Sequence, residues 1–135
     1  MTTPVSIEEA TMCFACGPDN SIGLQIRFLL KDGVCRGIFR PDENHVGYQD
    51  TVHGGIIFAA LDDAMANVLY LQNIKAHTAR CEIRYRRALA VGEEIEVSGW
   101  IDSQRKRLIV LKGGARLADN TLVADCEASF MTAQS

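Results

Sequence analysis

Two adjacent carboxylates, Asp62 and Asp63, lie within an almost wholly apolar stretch that begins at a His-Gly-Gly triplet at positions 53–55. The stretch predicts a helix from 54 to about 72 whose apolar side chains occupy nearly every azimuth, as in a helix enclosed by other structure. Burying an ionised carboxylate costs several kcal/mol unless it is paired or hydrogen-bonded. Both residues also lie too deep in the helix to cap its N-terminus or to interact with its dipole. We therefore predict that one of them is a functional acid or base.

Length and charge restrict the class of protein. The 135 residues suffice for one domain with a single core, and the formal net charge of −3 argues against a general nucleic-acid binder. No apolar run approaches the roughly 20 residues of a membrane span, and the N-terminus has neither the basic nor the apolar region of a signal peptide. We expect a soluble, cytoplasmic protein that binds neither nucleic acid nor membrane.

Five cysteines, an odd and scattered set in a chain without an export signal, favour reduced thiols over a disulfide framework. Three of them lie in strand-like runs, where a free cysteine behaves as a small hydrophobic residue: Cys35, Cys81 and Cys126. Cys13 and Cys16 have the spacing of zinc ligands, but only His45 with His53 offers a second ligand pair. We therefore predict no metal site and assign the pair to local packing.

The remaining elements are one short helix and a series of strands. Ser6 and Glu9 form a capping box, which predicts a helix from Ser6 to about Met12. Residues 42–52 are polar and predict a surface loop. Alternating apolar residues predict an early hairpin over 24–31 and 34–40. After the long helix only strands are predicted, at 78–87, 94–102, 108–118 and 122–132.

The short connections between these strands imply an antiparallel meander. One long helix between a hairpin and four later strands predicts the α+β class, with a curved antiparallel sheet wrapped around a central helix. We predict a single domain over 1–135, in which 1–23 form the short helix and a Cys-x-x-Cys leader.

In these residues the chain resembles the hotdog-fold acyl-CoA thioesterases of the PaaI-like branch. The resemblance extends over 13–131 and is carried by the His-Gly-Gly triplet with Asp62 nine positions after its histidine, by 61–65, and by 83–87 with 91–93. The leader is similar to a Cys-x-x-Cys-Gly…Asn-Pro-x-Gly-Leu segment of one subset, with Ser21 in place of the usual proline. The resemblance implies hydrolysis of an acyl-CoA to free acid and CoA, with no metal or cofactor.

The resemblance also implies a homodimer whose sheets join edge to edge, with two active sites at the interface and often a further pairing to tetramers. Helix geometry supports the sharing independently. At about 1.5 Å per residue, Asp62 lies roughly 12 Å along the helix from Gly54. A thioester carbonyl at the helix N-terminus is therefore out of reach of Asp62 of the same chain, and the carboxylate must come from a partner.

Within this frame the N–H groups of Gly54 and Gly55 form an oxyanion hole at the positive end of the helix dipole. A tight turn into the helix is the alternative explanation of the two glycines. Asp62 is the general base for an attacking water or a nucleophile that forms a transient anhydride, and the sequence leaves both open. Asp63 is its competitor, with Asn67 placed to supply a structural hydrogen bond.

Two more residues complete the predicted site. Thr78 matches the Ser or Thr that hydrogen-bonds the attacking water or the base in related thioesterases, although a β-branched residue at a strand start has a simpler explanation. His53 matches the family histidine, which fixes the loop before the helix and touches the thioester region. Gly47 is a departure, because some relatives carry an asparagine there that polarises the carbonyl or orients water.

Coenzyme A carries a 3′-phosphate and a diphosphate, so its site requires arginine or lysine at the mouth of a groove. Of two basic clusters, one at 84–87 and one at 105–107, we assign the CoA phosphates to Arg86 and Arg87. Two other functions compete with hydrolysis. One is hydration or dehydration of an enoyl thioester, which generally uses an Asp/His dyad in a different local motif. The other is a non-catalytic acyl-CoA binding or sensor protein.

Overall fold

The computed structural model describes residues 11–133. The helix expected from Ser6 falls almost entirely outside the described residues. The described elements, in chain order, are β1 (Leu29–Lys31), β2 (Val34–Phe39), a 3-10 turn (Glu43–His45), β3 (Val46–Tyr48), β4 (Thr51–Val52), α1 (Gly54–Tyr70), β5 (Ala76–Tyr85), β6 (Ile95–Arg105), β7 (Leu108–Leu117) and β8 (Leu122–Thr132).

Six strands form one antiparallel sheet in the order β1-β2-β6-β7-β8-β5. The long β6, β7 and β8 form the predicted meander, and β5 pairs with β8 at one end of the sheet. A second sheet consists of β3 and β4 alone, so the segment predicted as a loop contains two short strands. The α+β class, with one long helix against a curved antiparallel sheet, is confirmed.

Helix α1 lies directly on the sheet because glycine removes a side chain where the two meet. A Cβ atom on Gly99 of β6 would come within 2.9 Å of backbone atoms of Ala64 and Met65. Apolar residues of α1 fill the core on either side of this approach: Ile57, Ala60, Leu61, Ala64, Met65, Val68 and Leu69. The helix starts where predicted and ends two residues early, with the Leu71 N–H bonded to the Asn67 carbonyl.

The first strand of the early hairpin is shorter than predicted. The alternation that suggested a strand over 24–31 is real, since Leu24, Ile26 and Phe28 are buried. However, this segment contacts the leader instead of a strand: the Leu24 and Ile26 N–H groups donate to the carbonyls of Phe14 and Ala15. Alternation of apolar residues predicts which side chains are buried, but it does not identify the segment to which the backbone is hydrogen-bonded. Across the described residues, no helix is long and apolar enough to cross a membrane.

Candidate active site

The start of α1 is organised by His53, its N-cap residue. The Gly55 N–H donates to His53 Nδ1 at 2.8 Å, and the His53 N–H donates to the His45 carbonyl at 2.8 Å. A Cβ atom on Gly47 would lie 2.9 Å from the His53 Cα. The departure from asparagine at this position therefore has a steric reason, because a larger residue would displace the histidine that fixes the turn.

The two glycine N–H groups have different surroundings. His53 Nδ1 accepts the Gly55 N–H, whereas the Gly54 N–H has no hydrogen bond to any of residues 11–133. The Gly54 carbonyl accepts a hydrogen bond from the Tyr85 hydroxyl at 2.8 Å. Of the two predicted oxyanion donors, Gly54 is the one whose N–H is available at the helix N-terminus.

Asp62 is half-buried and has a specific partner on the neighbouring strand. The Thr78 hydroxyl, near the start of β5, donates to Asp62 Oδ1 at 2.8 Å. Burial raises the pKa of the Asp62 carboxyl, and the Thr78 hydrogen bond opposes that rise. The structure thus brings together two of the predicted site residues that lie sixteen positions apart in the sequence.

Asp63 has a different set of partners. Its side chain accepts hydrogen bonds from Asn67 Nδ2 at 3.0 Å and from Cys13 Sγ at 3.6 Å. Burial, as the main cause, raises the pKa of the Asp63 carboxyl to about 7. The neighbouring carboxylates therefore face separate environments, Asp62 towards β5 and Asp63 towards the leader.

A groove of about 310 Å³ lies at the N-terminal end of α1. Its lining includes both predicted CoA-binding arginines and the helix N-terminus: Thr51, Val52, Gly54, Ile57, Tyr85, Arg86, Arg87, Ala88 and Leu89. Arg86 forms a two-pronged ion pair with Asp125, at 3.1 and 3.0 Å, and Arg87 contacts Glu93 at 3.3 Å. These pairs are exposed, so releasing either arginine to another anion costs little.

A model of the thioesterase superfamily matches residues 49–124, more than half of the chain. The chain belongs to the thioesterase superfamily. The matched segment includes the whole of α1 and of β5, and with them Gly54, Asp62 and Thr78. No curated protein sequence matches the chain significantly.

Solved structures of superfamily proteins share the fold. One thioesterase superfamily protein is 23% identical, with a TM-score of 0.85 over 96% of this chain and 69% of its own. E. coli PaaI, from the phenylacetic acid degradation operon, is 18% identical with a TM-score of 0.77, over 83% of this chain and 82% of its own. These similarities confirm the hotdog fold.

A third similar structure is a hypothetical thioesterase protein of Streptococcus pneumoniae with coenzyme A. It is 15% identical, with a TM-score of 0.76 over 82% of this chain and 87% of its own. Structures of the same streptococcal protein carry an alanine in place of one aspartate or one threonine, and the two replaced positions are 16 apart.

Tyr85 is a residue of the candidate site that sequence reasoning missed. Its ring lies against Gly54, where an added Cβ would be 3.3 Å from the ring carbon that bears the hydroxyl. The side chain is 50% exposed although it is aromatic and hydrogen-bonded to the start of α1. A tyrosine at a strand end has no signal of its own, since only the pairing of β5 with the sheet brings it to the helix N-terminus.

Proposed function

We propose that the protein hydrolyses an acyl-CoA thioester to the free carboxylic acid and CoA. The observation that carries the proposal is the hydrogen bond between Thr78 of β5 and Asp62 of α1. The N-terminus of the same helix presents the Gly54 N–H beside a groove with two arginines. Membership of the thioesterase superfamily supports hydrolysis of a thioester in general. The CoA in the streptococcal structure supports the CoA ester in particular.

In the proposed reaction Asp62 accepts a proton from a water molecule whose oxygen attacks the thioester carbonyl carbon. The carbonyl oxygen gains negative charge, which the Gly54 N–H and the helix dipole stabilise. The C–S bond then breaks as the tetrahedral intermediate collapses, and the departing thiolate takes the proton from Asp62. Direct attack by the Asp62 carboxylate, followed by hydrolysis of the anhydride, uses the same groups.

The proposed site is shared between two chains. Asp62 is eight residues along α1 from Gly54, which corresponds to about 12 Å at 1.5 Å per residue. A carboxylate side chain extends only a few ångströms, so one helix cannot hold a carbonyl between both groups. The edge strand β5, which carries Thr78 and Tyr85, is the edge through which we propose that the sheets of a homodimer join; a further pairing would give a dimer of dimers.

The streptococcal structures offer an independent parallel. The aspartate and the threonine replaced in that protein are separated by the same 16 positions as Asp62 and Thr78. This parallel supports the same two residue types as a working pair in this chain.

Release of free thiol from short, medium, long and aromatic acyl-CoAs tests the proposal. We expect steady turnover of at least one class, and the panel then identifies the acyl group. Binding of CoA esters without turnover across the panel would contradict hydrolysis and favour the alternative, a non-catalytic acyl-CoA binding protein. A change in absorbance of an enoyl-CoA without thiol release would indicate hydration instead.

The pH dependence of the rate tests the role of Thr78. Asp62 acts in its ionised form, so kcat/KM should fall as the pH drops through its raised pKa. Replacing Thr78 with valine removes the hydrogen bond that lowers this pKa. The acidic limb of the kcat/KM profile against pH should therefore move to higher pH. We also expect kcat to fall about tenfold, since the bond is made to a charged group.

Thr78→Ser is the matched control, because it keeps the hydroxyl and should keep the limb near its native pH. An acidic limb that stays in place in Thr78→Val would show that Thr78 does not act on the ionisation of Asp62.

Substrate truncation tests the two arginines. In the double variant Arg86→Gln/Arg87→Gln, we expect KM for an acyl-CoA to rise about tenfold, the loss of roughly 1.4 kcal/mol of phosphate binding. The N-acetylcysteamine thioester of the same acid lacks every phosphate, and its kcat/KM should not change. Arg36→Gln, on β2 near the opposite end of the sheet, is the control. An equal loss on both substrates would assign the arginines to structure rather than to CoA binding.

A further inference from the structure

The leader carries a second cluster of reactive side chains, away from the Asp62–Thr78 pair. Ligand atoms of Cys13, Cys16 and Asp63 all lie within 4.8 Å of one another, and each residue is half-buried. The sequence alone favours packing for the two cysteines, since His45 with His53 is the only second ligand pair that it offers. Helix α1 supplies a third ligand that the sequence spacing did not suggest, because Asp63 is 50 residues from Cys13.

The turn that holds the cysteines is tightly built. The Gly17 N–H donates to the Cys13 carbonyl at 2.8 Å, and a Cβ atom on Gly17 would lie 2.4 to 2.6 Å from backbone atoms of Thr11 and Cys13. Only glycine fits this turn.

The distance between the Cys13 sulfur and the Asp63 oxygen matches the coordination sphere of zinc. A Zn–S distance of about 2.3 Å and a Zn–O distance of about 2.0 Å at a tetrahedral angle separate sulfur and oxygen by about 3.5 Å. Cys13 Sγ and Asp63 Oδ1 are 3.6 Å apart. These two atoms are therefore spaced to bind one ion between them, and the Cys16 sulfur lies within 4.8 Å of both.

Asn67 orients the third ligand from the next turn of α1. Its Nδ2 donates to Asp63 Oδ2 at 3.0 Å and lies 3.9 Å from Cys16 Sγ. The amide thus occupies one carboxylate oxygen and leaves Oδ1 directed to Cys13. Hydrogen bonds of this kind hold the ligands of known metal sites in position.

The chemistry of the three ligands also favours a cation. Two cysteine sulfurs and one carboxylate converge in a half-buried site. Thiolates and carboxylates are anionic ligands, and a thiophilic divalent ion displaces the thiol protons when it binds.

We propose that Cys13, Cys16 and Asp63 bind one thiophilic divalent cation. Two sulfur ligands and one carboxylate favour Zn²⁺. The fourth coordination position opens on a cavity of about 300 Å³ that these three residues line together with Asn67. The ion fastens the leader to α1 one residue from Asp62. Thiol–disulfide exchange by the two cysteines would need no carboxylate beside them. The Asp63 oxygen that points to Cys13 therefore favours metal binding over disulfide exchange.

Cobalt(II) titration of the full-length, reduced and chelator-treated protein tests the site. We expect one Co²⁺ per chain, with thiolate-to-cobalt charge transfer and the intense visible bands of a tetrahedral ion, displaced by one equivalent of Zn²⁺. Asp63→Asn keeps both thiolates and should weaken Zn²⁺ binding at least about tenfold in competition with a chromophoric chelator. Cys16→Ser removes one of the two thiolate ligands and should therefore remove about half of the charge-transfer intensity. Cys81→Ser is the control and should change neither the Zn²⁺ affinity nor the charge-transfer intensity.

Three results would overturn the proposal. The first is the absence of stoichiometric metal binding by reduced protein whose circular dichroism shows it to be folded. The second is undiminished binding in the double variant Cys13→Ser/Cys16→Ser. The third is formation of a Cys13–Cys16 disulfide with glutathione disulfide by a protein that binds no metal, which would assign the pair to thiol exchange. Since the readout is metal binding, failure here is independent of any failure to hydrolyse acyl-CoA.

Discussion

Replacing Asp62 with asparagine should lower turnover of an acyl-CoA by about two orders of magnitude or more, since the variant loses the group that accepts the proton of water. Asparagine has nearly the same shape, and its side-chain oxygen can still accept the Thr78 hydroxyl. The measurement is thiol release with the best substrate of the panel, at a pH where native Asp62 is ionised.

The fold should tolerate this change well. Burial raises the pKa of Asp62, so the folded state binds its proton more tightly than the unfolded state does. The free energy of unfolding therefore declines as the pH rises from the unfolded pKa through the folded one. Asparagine carries no charge to bury, and we expect the melting temperature of Asp62→Asn at neutral pH to equal or exceed that of the native protein. An inactive variant of undiminished stability separates a chemical role from a structural one.

Two further variants make the comparison specific. Asp102→Asn changes an exposed carboxylate on β6 and should retain native turnover. Asp63→Asn tests the competitor. A collapse of turnover in Asp63→Asn together with near-native rates in Asp62→Asn would reverse the assignment of the two carboxylates.

An experiment on the native protein can distinguish the two roles open to Asp62, general base and nucleophile. A single turnover in isotopically labelled water puts the label into the released acid when water attacks the carbonyl. When Asp62 attacks first and water then opens the anhydride at the aspartyl carbon, the label enters the Asp62 carboxylate. Mass spectrometry of the peptide that contains Asp62 detects whether the label has entered its carboxylate.

The sequence was sufficient for the fold class and for the helix on which the candidate active site lies. The glycine pair marked the start of α1, and the apolar run made Asp62 conspicuous, because both signals are local. The edge position of β5 and its contact with α1 depend on long-range pairing, and these create the Thr78 hydrogen bond. A family resemblance suggested Thr78, whereas periodicity alone would have left it an ordinary β-branched residue.

Contacts between side chains and backbone were the least predictable part. The two glycines look equivalent in sequence. In the structure, however, the His53 side chain accepts the Gly55 N–H, and the Gly54 N–H stays available. Cys13 and Asp63 have no pattern in common, and they meet because the leader folds back over α1. Such contacts follow from the arrangement of distant segments, which a spacing rule does not contain.

Replacing Gly54 with proline should lower kcat by about 10² to 10³, the loss expected for one oxyanion-hole donor. Gly54 is the first residue of α1, where proline is well tolerated because the missing N–H makes no helical bond. The preceding residue, His53, already has the extended backbone that proline requires of its neighbour (ψ 131°). Gly54→Ala is the matched control, since it adds a Cβ at the same place, 3.3 Å from Tyr85, but keeps the N–H. Near-native turnover by both variants would remove Gly54 from the oxyanion hole.

Mixing the two inactive variants decides whether the site is shared. In a mixed dimer of Asp62→Asn and Gly54→Pro chains, a shared arrangement gives one site with both changes and one site with neither. Co-expressed chains carrying different affinity tags, purified through both tags in turn, should therefore recover about half of the native turnover per dimer. If each chain used its own Asp62 with its own Gly54, every site of the mixed dimer would contain one defect and turnover would stay at the level of the parents. Recovery requires that the carboxylate and the N–H come from different chains, as the roughly 12 Å between them on one helix demands.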